Sequence, residues 1–145
     1  QSIAAARWPK LEGLEIWFGD RSYGAGATLA DIQPILDGKG LPALRHLGLV
    51  NADFTDELAA AIGAAPIVRQ LASLDVSKGT LTDVGAVALA ASKPALRHLK
   101  QLDVSSSYID RTSVLKGVAA KVLATHQRTP DDYDGELRRY PSVGE

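Results

Sequence analysis

The chain has 145 residues, 46% of them apolar and 23% charged, which are values of a globular domain long enough to bury a core rather than of a disordered segment. A formal net charge of −1 and a pI near 6.3 leave no electrostatic footprint for nucleic acid, where clustered Lys/Arg and a pI above about 9 are expected. The absence of cysteine excludes disulfides, a thiol nucleophile and cysteine-held metals, so no cofactor is implied and a cytoplasmic location is the simple expectation. No apolar run approaches the roughly 20 residues of a membrane helix; the longest, residues 58–67, is mostly alanine and is interrupted by Gly63 and Pro66.

Four stretches follow the pattern L-x-x-L-x-(L/I/V). They are Leu11, Leu14 and Ile16; Leu44, Leu47 and Leu49; Leu71, Leu74 and Val76; and Leu99, Leu102 and Val104. Each has an apolar residue three positions before its first leucine: Trp8, Leu41, Val68 and Leu96. The first leucines are 33, 27 and 28 residues apart. A period in the twenties on such a template predicts one short strand per unit and a return segment between strands, stacked side by side.

In chain order, the first strand is followed by a glycine-rich insertion, residues 19–28, and then by a helix over residues 29–36 that Pro34 should limit or bend. Gly24 and Gly26 are spaced GxG, but no phosphate-loop lysine follows, so the insertion reads as a flexible loop. The second unit places a helix over residues 54–62. The third is the cleanest: a strand at 71–76, a turn at 77–80 and a helix at 81–92. Thr82 is placed to cap that helix, and Leu81, Val84, Val87 and Ala88 share one side at helical spacing. The fourth unit is expected to return through a helix in residues 109–123, using Ile109, Val114, Leu115, Val118, Val122 and Leu123. The hexapeptide PALRHL occurs at residues 42–47 and 94–99, but aligning the copies would set Gln101 where Leu49 points inward. Such a slip would turn a strand's side chains over, so the template register is preferred.

Leu81, Thr82, Gly85 and Leu89 match an LTxxGxxxLxxxL-like pattern, and with the 27- and 28-residue spacings the chain resembles the ribonuclease-inhibitor-like subfamily of leucine-rich repeats over about residues 8–124. The resemblance implies an α/β leucine-rich repeat solenoid, a horseshoe arc with a short parallel inner sheet and outer helices. It divides the chain into residues 1–125, about four repeats, and residues 126–145, a polar C-terminal tail or cap. Residues 1–7, QSIAAAR, then read as the end of a preceding repeat, and the lack of any methionine suggests a piece of a longer protein. The Ala/Gly-rich, cysteine-free style points to a bacterial source. The chain departs from the family at the ninth template position, usually Asn or Cys, where Gly19, Ala52, Gly79 and Ser107 stand; Asn51 is one place early. The turns are therefore expected to be satisfied by backbone or water.

In the tail, Asp134-Gly135 between Tyr133 and Leu137 either belongs to a disordered segment or forms a hairpin turn. In the second case Leu137, Tyr140 and Val143 are candidates to cover the last repeat.

Strand side chains alternate, so the third, fifth and seventh template positions face the concave surface. The third holds Gly13, His46, Ser73 and Gln101; the fifth, Glu15, Gly48, Asp75 and Asp103; the seventh, Trp17, Val50, Ser77 and Ser105. Glu15, Trp17, His46, Asp75, Gln101 and Asp103 are the candidate partner-binding residues: an aromatic anchor beside an acidic stripe suited to another, basic, protein. Alternatively the carboxylates keep the sheet solvated and Trp17 packs beneath the insertion.

No catalytic or metal site is expected. An open sheet offers no cleft to raise one carboxylic acid's pKa, and His46, His98 and His126 are scattered and expected to be solvated. In the acidic tail the first position of a calcium loop would fall on Pro130. The expected function is a non-catalytic protein-interaction module; the alternatives are a structural spacer or assembly element, or a regulatory arm of a larger protein.

Overall fold

The computed structural model describes residues 7–19 and 27–142. The expected preceding helix (residues 1–6), most of the glycine-rich insertion (20–26) and Val143 lie outside the described residues.

Strands β1 (Gly13–Trp17), β2 (His46–Val50), β3 (Ser73–Asp75), β4 (Gln101–Asp103) and β5 (Val122–Leu123) form one parallel sheet whose spatial order is the chain order. Parallel neighbours cannot be joined by a tight turn, so each pair is linked by a crossover. Helix α1 (Leu29–Leu36) lies between β1 and β2; α2 (Thr55–Ile62) and a 3₁₀ turn (Pro66–Gln70) lie between β2 and β3; α3 (Asp83–Ala91) and α4 (Lys93–Leu96) lie between β3 and β4. The register follows the template: Leu14, Leu47, Leu74, Leu102 and Val122 form one row. PALRHL is thus not the repeat unit.

The leucine columns build a single core between sheet and helices. Leu44, Leu47, Leu49, Leu71, Leu74, Leu99 and Leu102 are buried there with Ile35, Leu58, Ile62, Leu81 and Leu89 from the helices. Thr82 caps α3, its hydroxyl accepting from the Val84 N–H at 3.2 Å. Pro34 lies inside α1, which ends soon after it at Leu36. Among the described residues no helix is long and apolar enough to cross a membrane.

Two expectations about the crossovers are corrected. Val84 and Val87 are 72% and 58% exposed, whereas Gly85, Ala86 and Leu89 face inward. Close approach of α2 decides this: a Cβ on Gly85 would collide with the Asp56 carboxylate and come within 3.2 Å of the Asp56 Cα, so the glycine face must be the packed one. Residues 109–123 do not form a helix either. They hold one 3₁₀ turn, Thr112–Leu115, then leave helical space at Gly117 (φ +77°) and end in β5. This is the shortest of the crossovers joining β2 to β5, and β5 carries a degraded template, Ala119, Val122 and Ala124, in place of three large apolar residues.

The strand-exit turns show a feature absent from the sequence reading. Asn51, Lys78, Ser106 and His126 occupy equivalent positions and all have positive φ, 63°, 63°, 55° and 55°. Asn51 is buried, and its Nδ2 donates to the Phe18 carbonyl at 2.7 Å, so a side chain, not only backbone or water, satisfies that turn. Its apparent one-place shift is explained: asparagine tolerates the left-handed conformation that this position requires.

The tail folds back. Strands β6 (Asp131–Tyr133) and β7 (Glu136–Arg138) form the hairpin, turned at Asp134 (φ 53°) and Gly135 (φ 84°) as a primed two-residue turn demands. Leu137, however, is 59% exposed and covers nothing, because the hairpin projects outward. The chain is anchored instead at Arg128 and at residues 140–142. Arg128 donates to the carbonyls of Ser106 (2.9 Å), Gly79 (2.8 Å) and Tyr140 (2.7 Å) and lies 4.4 Å over the Tyr108 ring. Tyr108 and Tyr140 exchange two hydrogen bonds, hydroxyl to carbonyl and amide to hydroxyl. Burial lowers the Arg128 pKa, the cost of taking a guanidinium out of water.

Candidate functional site

The sheet face opposite the helices carries the candidate residues. Parallel register places Gly13, His46, Ser73 and Gln101 in one row and Glu15, Gly48, Asp75 and Asp103 in the next. Trp17 pairs with Val50 in the row beyond. All six sequence-selected residues therefore stand on one face, over four adjacent strands.

Two glycines shape this surface. Gly13 and Gly48 leave a depression of about 370 Å³ bordered also by Glu15, His46, Ser73, Asp75 and Gln101. A Cβ at Gly48 would lie 2.9 Å from the Glu15 Cγ, so the bare backbone of β2 is what leaves room for the Glu15 side chain beside it. On the rim, His46 Nδ1 is 2.7 Å from the Ser73 hydroxyl.

The carboxylates are partly committed to local structure. Asp75 accepts from the Ser77 N–H at 2.8 Å and Asp103 from the Ser105 N–H at 2.9 Å, each closing the turn that ends its strand. Partial burial raises the Asp75 pKa; hydrogen bonds from Ser77 oppose this, and the charges of Asp103 and Glu15 reinforce it. Among the described residues none of Glu15, Asp75 and Asp103 has an ion-pair partner. Three like charges thus share one face with no ion pair to any of them among the described residues.

Trp17 is 50% exposed, and its indole N–H donates to the Glu15 carboxylate. Sequence reasoning missed its other neighbour: Lys78, just past β3, places its Nζ 5.5 Å from the centre of the Trp17 ring. To reach it the side chain crosses the end of β2, where Val50 is buried. The available signal was a lysine beside the seventh-position column, in a segment that reads only as a turn.

The histidines do not converge. His98 is exposed, as expected, and its Nε2 lies 2.8 Å from the Val68 carbonyl, because the strand-leading segments of successive units run side by side. Among the described residues no group of three or more His, Asp or Glu is arranged to hold a metal ion.

Neither a protein-family model nor a curated protein matches the chain. Among solved structures, the crystal structure of a protein from Bacteroides fragilis is similar over 92% of this chain, with a TM-score of 0.73 and 24% identity. The likeness is one of fold, and the present chain spans 37% of the length of that protein.

Proposed function

We propose that this chain is a module of the leucine-rich repeat class, ribonuclease-inhibitor-like in its units, serving as a non-catalytic protein-interaction element. The concave face of its solenoid takes a partner with a basic surface. The observation that carries this reading is Trp17, half exposed on the open sheet face and flanked by Glu15, with Asp75 and Asp103, which have no ion-pair partner among the described residues, on the same face. Exposed aromatic anchors beside charges of one sign are what an interface uses for affinity and for steering. Parallel stacking in chain order and leucine rows in one register support the repeat assignment.

The test is retention of a basic protein on the immobilised chain, beside Trp17→Ala and a Glu15/Asp75/Asp103→Ala triple variant, each checked for a cooperative thermal transition. Retention by the wild type and loss by both folded variants is the expected result. Equal recovery on all three overturns the concave-face reading. The spacer alternative draws on another observation: β5 has no further strand on its outer side among the described residues, which suits stacking against another domain.

A further inference from the structure

The Trp17 ring already holds a cation, supplied by the chain itself. Lys78 Nζ lies over the indole face, while the Glu15 carboxylate fixes the indole edge. The arrangement is an aromatic surface with a carboxylate wall, the combination that attracts ammonium and guanidinium groups. Lys78 is held there from the other side. Its carbonyl accepts from the Ser142 N–H at 2.7 Å and from Arg128 at 3.4 Å, so the folded-back tail fixes the backbone from which the side chain reaches out. Its φ of 63° aims that side chain away from the ordinary strand direction. Lys78 has no carboxylate partner among the described residues, so the ring face is where its charge is compensated.

We propose that the Lys78 ammonium stands in for a cation of the partner: the Trp17 face bounded by Glu15 is a seat for one lysine or arginine side chain, and Lys78 competes for it. This rests on the concave-face reading and deepens it by naming the group that is recognised. Displacement costs the protein only a half-exposed cation–π contact, while the incoming cation also meets the negative field of Asp75 and Asp103. Lys78 thereby acts as a built-in filter against weakly basic ligands.

The experiment uses the full chain with Trp8→Phe, leaving Trp17 as the single indole of the two tryptophans present. Trp17 emission is followed during titration with a hexa-arginine peptide and, separately, a hexa-citrulline peptide of the same length. Hexa-arginine is expected to shift the emission and hexa-citrulline to leave it unchanged. Lys78→Met is expected to bind hexa-arginine about threefold more tightly than Lys39→Met, which removes the same charge elsewhere; Lys78→Arg, retaining a competitor, should match the parent. Equal affinities for the Lys78→Met and Lys39→Met variants, or an emission change with hexa-citrulline, overturn the seat. That failure is separable from failure of the concave-face reading, which the retention assay with Trp17→Ala decides independently.

Discussion

The Asp56 carboxylate, in the first turn of α2, accepts from the Thr82 backbone N–H at 2.8 Å and from the Thr82 hydroxyl at 2.7 Å. It also accepts from the Gly85 N–H at 3.1 Å. One crossover helix thus supplies the N-terminal acceptor for the next. Asp83 repeats the arrangement, accepting from the N–H groups of Asp110 at 2.9 Å and Arg111 at 3.1 Å. These carboxylates join neighbouring units by taking up backbone N–H groups at the start of α3 and just before the 3₁₀ turn at Thr112–Leu115.

Asp56→Ala should therefore cost about 2–3 kcal/mol, since it strands part-buried donors rather than deleting both partners. Asp56→Asn, which keeps an acceptor oxygen, should cost less. Urea unfolding followed by far-ultraviolet circular dichroism checks both; a loss within about 0.5 kcal/mol, as for an ordinary surface change, would remove the inter-unit link as a stabilising element.

Arg128 should act as the tail's clasp. Arg128→Ala is expected to cost about 2 kcal/mol, by loss of charge-assisted bonds to the carbonyls of Ser106, Gly79 and Tyr140. Protection of the Tyr140 and Ser142 amides in hydrogen exchange, which donate to the Tyr108 hydroxyl and the Lys78 carbonyl, should fall with it. Arg128→Lys should not restore the clasp, because a point charge cannot reproduce the planar fork. Unchanged protection in Arg128→Ala would refute the assignment.

Asp75 should make stability depend on pH in the direction opposite to a paired carboxylate. Its folded pKa lies above the ordinary 3.8, through burial first and the nearby Asp103 and Glu15 charges as well. The folded state therefore holds the proton more tightly than the unfolded chain. The favourable contribution is complete below 3.8 and is lost as pH rises through the folded value. Asp75→Asn, which can still accept from the Ser77 N–H, should melt higher than wild type at pH 7, and the two should converge in acid. A lower melting temperature for Asp75→Asn at pH 7 would contradict this.

On α3 the two faces should respond differently. Val87→Ala should change stability by no more than about 0.5 kcal/mol, because Val87 is 58% exposed. Leu89→Ala, at a fully buried position, should cost about 2–5 kcal/mol. Comparable losses at both would mean that the helix is turned the other way.

The four leucine templates, their register across β1 to β4, the Thr82 cap and the row positions of Glu15, Trp17, His46, Asp75, Gln101 and Asp103 were all legible in the amino-acid order. The reason is local: strand side chains alternate with a period of two, and a near-constant repeat length copies that phase from unit to unit. What tertiary structure alone decided depends on partners far away in the chain. The inward face of α3 is set by the approach of α2 to Gly85, since Ala and Val alternate there too evenly for apolar periodicity to choose. The fifth strand exists because β4 offers an edge, although Ala119 and Ala124 erase its leucine signature. Arg128 reaching Gly79 and Lys78 reaching Trp17 cross dozens of residues through space. No periodicity encodes such contacts, because long flexible side chains choose partners only once folding has brought the segments together.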